Sequence, residues 1–271
     1  MKTVGYRVYI AILAMVLMFT SSFSQEDKRP EYITVTTMHW NMNNDNFDMD
    51  TWKAVEKEFK DKVTSKNEYV QGSSFYMHYF TPDNTELIYV QSYPNWEAIG
   101  KASERNEELI KAAWPDEKAR GDFEKKRMGY YSDYHSDEIY ATMPNAKLMA
   151  SPPSKDMVLY VRKSHFAFPD DGSQKEFEEL SKMYIENVFF KNDLIKAYYP
   201  NAHAWGSDRT EFVEGFLLDN LTDLEAMLDK NDELFKAKWS DEKTQKEMGK
   251  KMGKYFTGKH GDYIYTYIHG I

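Results

Sequence analysis

The chain of 271 residues has no cysteine, which excludes disulfide scaffolds, thiolate metal centres and cysteine nucleophiles at the outset. Positive charge is short. Its 35 Lys and Arg face 44 Asp and Glu, and the formal net charge of -9 argues against nucleic acid as a partner. Long apolar runs are missing too: the most apolar stretch, Ile10 to Phe19, falls well below the roughly 20 residues that a membrane span needs. No G-x-S-x-G elbow, P-loop, G-x-G-x-x-G or calcium loop occurs, so the chemistries tied to those motifs find no footing. What the chain does have is 16 Phe, 6 Trp and 20 Tyr, an aromatic content that excludes disorder and supplies a core.

Residues 1–24 read as a secretory signal peptide. Lys2 and Arg7 form a basic start, the short apolar run follows, and Ser22-Phe23-Ser24 offers small residues at the two positions a signal peptidase reads. Cleavage after Ser24 gives an exported protein, periplasmic or secreted, with no membrane anchor left.

The remainder repeats when laid on itself with a shift of about 125 residues. Asn95 to Lys118 aligns without a gap on Asn220 to Lys243, bringing Asn106 onto Asn231, Trp114 onto Trp239, and Asp116-Glu117-Lys118 onto Asp241-Glu242-Lys243. Two units result, residues 31–143 and 156–271. Between them, residues 144–155 read as a linker, because Pro144, Pro152 and Pro153 interrupt the periodicity.

Each unit has the same element order. First strands are expected at Tyr32–Trp40 and Met157–Phe166, rich in β-branched and aromatic residues. A helix follows, because Trp52, Val55, Phe59 and Val63, like Phe177, Leu180, Tyr184 and Val188, recur at the spacing of one helical face. Strand pairs come next: Ser74–Phe80 with Glu86–Tyr93, and Ala197–Trp205 with Glu211–Leu218. Further helices start near Asn95 and Asp116, and their copies, with Trp114 and Trp239 read as packing residues and the acids after them as caps. The units close on Glu138–Met143 and Tyr263–Ile268.

Strand-helix-strand-strand-helix-strand with an extra helix is a ferredoxin-like unit, whose helices cover only one sheet face. A tandem copy can cover the other. The expected fold class is α+β: two tandem ferredoxin-like units packed sheet to sheet as a pseudo-dimeric α+β barrel, in a pseudo-symmetric monomer. In element order, over Tyr32–Met143 and Met157–Ile268, the chain resembles the dimeric α+β barrel superfamily. That group contains antibiotic-biosynthesis-type monooxygenases, haem-degrading monooxygenases, muconolactone isomerases and stress-response barrel proteins. The resemblance implies a fold and no single activity, because the superfamily carries unrelated chemistries on one scaffold.

Of the seven histidines, six fall into repeat-matched pairs: His39 with His165, His78 with His203, and His135 with His260. Glu86 meets Glu211. These eight residues form the candidate ligand-binding set, since imidazole serves as metal ligand, proton shuttle or polar orienter near neutral pH. Two readings stand. In one, His39, His78, Glu86 and His135, or their mates, surround a cavity that binds a metal, haem or a small acid; in the other, each histidine is satisfied by a local carboxylate or carbonyl. No H-E-x-x-H spacing is present, so sequence names no cofactor. A cross-strand contact of His78 with Glu86, and of His203 with Glu211, is expected. The function expected is the binding of a small apolar or aromatic molecule in the barrel cavity. The alternative is an oxygenase or isomerase of the superfamily's kind, using the histidines with or without haem or metal.

Overall fold

The structure, a computed structural model, describes residues 29–271; the expected signal peptide lies outside the described residues. The first unit runs β1 (Tyr32–Trp40), α1 (Met49–Lys62), β2 (Gly72–Phe80), β3 (Glu86–Tyr93), α2 (Trp96–Ala113), α3 (Glu117–Met128) and β4 (Tyr131–Thr142). The second repeats it as β5 (Met157–Phe166), α4 (Gln174–Asn187), β6 (Ala197–Trp205), β7 (Glu211–Leu218), α5 (Thr222–Lys238), α6 (Glu242–Gly253) and β8 (Phe256–Tyr267).

Local chemistry fixes the helix starts. Asp48, Asn95, Asp116, Ser173 and Asp241 each accept a hydrogen bond from a backbone N–H of the first helical turn. Trp114 is buried and stacks on Phe123 at 4.0 Å, so the Trp-x-Asp motif packs and caps as its spacing predicts. Inside each unit a buried asparagine also ties the turn after the first helix to the second: Asn67 donates to Asn106, and Asn192 to Asn231, both at 2.8 Å.

The eight strands close into one antiparallel barrel in the order β1-β3-β2-β8-β5-β7-β6-β4. The two sheets face one another across the interior, and their edges also pair at β2·β8 and β4·β6, so no strand edge is left open. Because every neighbour is antiparallel, β1, β2, β5 and β6 all run toward the same end of the barrel. The two hairpin loops, residues 81–85 and 206–210, lie at that end.

Alternation along each strand separates two faces. Val158, Tyr160, Tyr198, Phe216 and Leu218 face outward and pack with Ile185, Val188 and Met227 from the helices. Met157, Leu159, Val161, Ala197, Leu217, Tyr265 and Tyr267 face inward with Tyr76, Ile88 and Tyr199, in a cluster that contains no helix residue. An eight-stranded barrel is just wide enough for side chains to fill. Its middle is therefore core.

Candidate functional site

Three of the four matched site pairs come together at the hairpin end. His39 lies directly opposite Glu86 in the β1·β3 register, and His165 opposite Glu211 in β5·β7. One step beyond Met77·Leu87 and Ala202·Phe212, the register sets His78 and His203 on the other side of these glutamates. Each half thus presents a His-Glu-His row on three adjacent strands. His135 and His260 do not join it. Both are largely exposed and sit 3.3 Å from Asp137 and Asp262, on the opposite strand face. The unmatched His269 lies after β8, its backbone N–H bonded to Asp156.

The first-strand imidazoles are held by their hairpins. His39 Nδ1 lies 3.2 Å from both Asp83 Oδ2 and Thr85 Oγ1; His165 Nδ1 lies 3.1 Å from both Asp208 Oδ2 and Thr210 Oγ1. Each threonine hydroxyl spends its proton on the aspartate's other oxygen. Nδ1 must therefore donate, which leaves Nε2 with a lone pair when the ring is neutral. The hydrogen bonds from Thr85 and Thr210 hold the Asp83 and Asp208 carboxyls below the usual range, so both acceptors are ionised. His78 is fixed in the same tautomer: its Nδ1 meets Thr81 Oγ1 at 2.7 Å, and that hydroxyl already donates to the Asp83 carbonyl. His203 has no such anchor. The position matching Thr81 is Gly206, at φ +149°, where a Cβ would come within 3.0 Å of Glu138, and His203 Nε2 is buried without a partner.

Register sets His78 beside Glu86 and His203 beside Glu211, but no hydrogen bond joins either pair among the described residues. Each glutamate instead meets a tyrosine of the other unit: Tyr265 donates to Glu86 at 2.6 Å, and the Tyr140 hydroxyl lies 2.6 Å from Glu211 and 2.7 Å from Glu138. A phenol reaching across the seam makes a shorter, charge-assisted bond than a neighbouring neutral imidazole would. Among the described residues, no group of three or more His, Asp or Glu side chains is placed to hold a metal ion.

The cavities lie elsewhere. Two adjoining ones, of about 490 and 570 Å³, open between the outer face of the second sheet and its helices, sharing Arg162, Tyr184, Phe189, Glu214, Met252 and Phe256. Their walls carry Met227, Met248 and Phe235 on one side and Phe177 and Tyr198 on the other, and Lys175, Glu178, Glu179 and Lys182 also line the larger one. Arg162 and Glu214 are cross-strand neighbours on the floor. Arg162 donates through Nε to Asp262, and Tyr198 donates to Glu214 at 2.7 Å. Burial pushes the Glu214 carboxyl up from its ordinary value. The hydroxyl of Ser181, which lines the larger cavity, is buried and unpaired.

In the first unit the same place is filled. Arg127 lies 3.7 Å over the Phe59 ring and grips both oxygens of buried Glu56 at 2.9 Å, while Tyr131 donates to Glu56 and Trp52 donates to Tyr131. By the repeat, Arg127 becomes Met252, Glu56 becomes Ser181, Tyr131 becomes Phe256 and Phe59 becomes Tyr184. The second unit has neither member of the ion pair. The paired difference is visible in the sequence at the repeat shift but matches no motif.

None of the seven histidines lines these cavities, and the inner-face imidazoles are separated from them by the sheet. The donor set present does not fit a histidine-ligated haem.

No protein-family model matches this chain, and no curated protein does. Solved structures match in fold. A candidate monooxygenase from Fusobacterium nucleatum is 12% identical, with a TM-score of 0.55 over 89% of this chain and 93% of that one. A second candidate monooxygenase, from Lactobacillus acidophilus, is 10% identical, with a TM-score of 0.51 over 90% and 95%. Chlorite dismutase from Candidatus Nitrospira defluvii, in complex with imidazole, is 10% identical, with a TM-score of 0.51 over 88% and 91%. The protein is a tandem ferredoxin-like α+β barrel, the dimeric α+β barrel architecture in one chain. At such identities the likeness establishes fold and nothing finer.

Proposed function

We propose that the protein binds a small, mostly apolar or aromatic molecule in the helix-side cavity of the second unit. The observation that carries this reading is the joint absence of a Glu56–Arg127 pair at the Ser181 and Met252 positions, which leaves open in one unit the space that the other fills. The volumes fall in the roughly 300–1,000 Å³ range of ligand sites, and apolar walls with a few polar groups are their usual make-up. On the floor, Arg162 offers donors beside the Glu214 acceptor, an arrangement suited to a neutral hydroxyl that both gives and takes a hydrogen bond. Placing the site here moves it from the barrel interior, where Tyr76, Tyr199 and Tyr267 occupy the space, to the outer face. A histidine-dependent oxygenase or isomerase finds less support, since the imidazoles and the cavity lie on opposite faces of the sheet. Export through residues 1–24 remains our reading of the N-terminus, and the intact mass of secreted material tests it: a chain beginning at or near Gln25 is expected.

The test of the cavity is a titration with 1-naphthol followed by intrinsic fluorescence and thermal melting. Saturable binding with a raised melting temperature is expected in the parent protein. The double variant Ser181→Glu with Met252→Arg, which rebuilds the first unit's ion pair, should fold and bind roughly tenfold or more weakly, as expected when a side chain occupies the ligand's volume. Unchanged affinity in that variant, or no binding by the parent, would overturn the proposal.

A further inference from the structure

The two His-Glu-His rows differ in two charges, a lysine and a second glutamate that only the second half carries. In the second half, the ammonium of Lys163 sits 3.9 Å from both Glu211 and Glu138, inside the barrel end. In the first half, the position matching Lys163 is Thr37, and that matching Glu138 is Tyr263. Glu86 therefore faces the interior with one oxygen taken by Tyr265 and no Lys or Arg nitrogen within 4 Å among the described residues.

We propose that the first half of the barrel end is a binding site for an external protonated amine, whose ammonium takes the place that Lys163 fills in the second half. The surroundings suit that ion. His39 and His78 have Nδ1 donating, so in the neutral form each offers an Nε2 lone pair to an N–H donor. An aromatic face stands at the rim: Tyr134 is 73% exposed with its ring 4.9 Å from that of His39. The rim of the second half already shows the same pairing within the chain, where the Arg209 guanidinium lies 5.8 Å from the Phe168 ring. A carboxylate, imidazole acceptors and an aromatic face, with no internal cation, select an organic ammonium over an anion. An amine carrying an aromatic or alkyl body would place its charge on Glu86 and its body against Tyr134.

Calorimetric titration of the purified protein with benzylamine, and with benzyl alcohol as the neutral isostere, tests the assignment. Benzylamine is expected to bind at one site and benzyl alcohol roughly tenfold or more weakly, the difference a desolvated charge pair supplies. Thr37→Lys installs the missing internal ammonium and should abolish amine binding. Glu86→Gln, which keeps an acceptor for Tyr265 and so preserves the seam, should weaken it by a similar factor. Ser181→Glu with Met252→Arg should leave it unchanged, which separates this site from the helix-side cavity. Equal affinity for the two probes, no benzylamine binding at all, or binding that survives both Thr37→Lys and Glu86→Gln would each reject the proposal.

Discussion

The Tyr140 hydroxyl of the first unit lies 2.6 Å from Glu211 of the second, and the repeat returns the gesture: Tyr265 of the second unit donates to Glu86 of the first at the same distance. These bonds cross the two seams at which the sheets meet. Burial first, and the carboxylates next, push both phenols well above the ordinary tyrosine range, so they remain donors at any physiological pH. Tyr140→Phe or Tyr265→Phe strips a glutamate of its short hydrogen bond, and each should cost about 1–3 kcal/mol of unfolding free energy. Urea denaturation measures it. Losses within the scatter of the method would show that the seams hold by backbone pairing alone.

The buried ion pair of the first unit yields a sharper prediction. Glu56 is 1% exposed and Arg127 only 20%. Removing either partner leaves an uncompensated charge, so Glu56→Ser or Arg127→Met alone should cost about 3–5 kcal/mol. The double variant copies the second unit. Its cost should fall short of the sum by at least about 1 kcal/mol, because the second change removes the group that the first one stranded. An additive result would mean that the pair is not coupled.

That pair also marks where sequence reasoning reached and where it stopped. The strands with clear alternation, β1, β3, β5, β6 and β7, were legible to the residue, and β2 began two residues early. β4 and β8 begin seven residues before their expected starts, because Ser132 to Asp137 and Thr257 to Asp262 carry polar and charged side chains over an exposed rim where no apolar alternation is required. The convergence of His39, Glu86 and His78 follows from register, which element order alone leaves open. The aspartate and threonine that orient His39 and His165 sit in the hairpins as D-x-T, visible at the repeat shift but without meaning until the loops fold back over β1 and β5. The cavity is made by a difference between copies, so the residues that the copies share carry no sign of it.

Glu214 gives a pH dependence of definite sign. Burial raises its carboxyl, opposed in part by the Tyr198 hydrogen bond and the nearby Arg162. The folded state therefore binds this proton up to a higher pH than the unfolded chain, whose carboxylate titrates near about 4.3. Its contribution to stability is fully present below that unfolded value and is lost as pH rises through the folded one. Glu214→Gln removes this loss, so the stability of the variant relative to the parent should rise as pH increases above about 4. Denaturation curves at a series of pH values would show it; a constant difference would mean that Glu214 titrates alike in both states.

Closure of the barrel bears on what a single unit can do. By the repeat, β8 corresponds to β4 and β6 to β2, so the β2·β8 and β4·β6 seams are two versions of one pairing. A first unit alone, Glu26 to Leu148, exposes both edges and the inward apolar face bearing Tyr76 and Ile88. Two copies can close the same ring by pairing β2 with β4 twice, Tyr140 of each then meeting Glu86 of the other, and an isologous dimer is the economical way to bury such a face. Light scattering should return one chain's mass for the whole protein and a dimer or aggregate for the isolated unit. A folded monomeric half would contradict the inference, because its edge strands and inner face would have to be satisfied by water that their apolar side chains exclude.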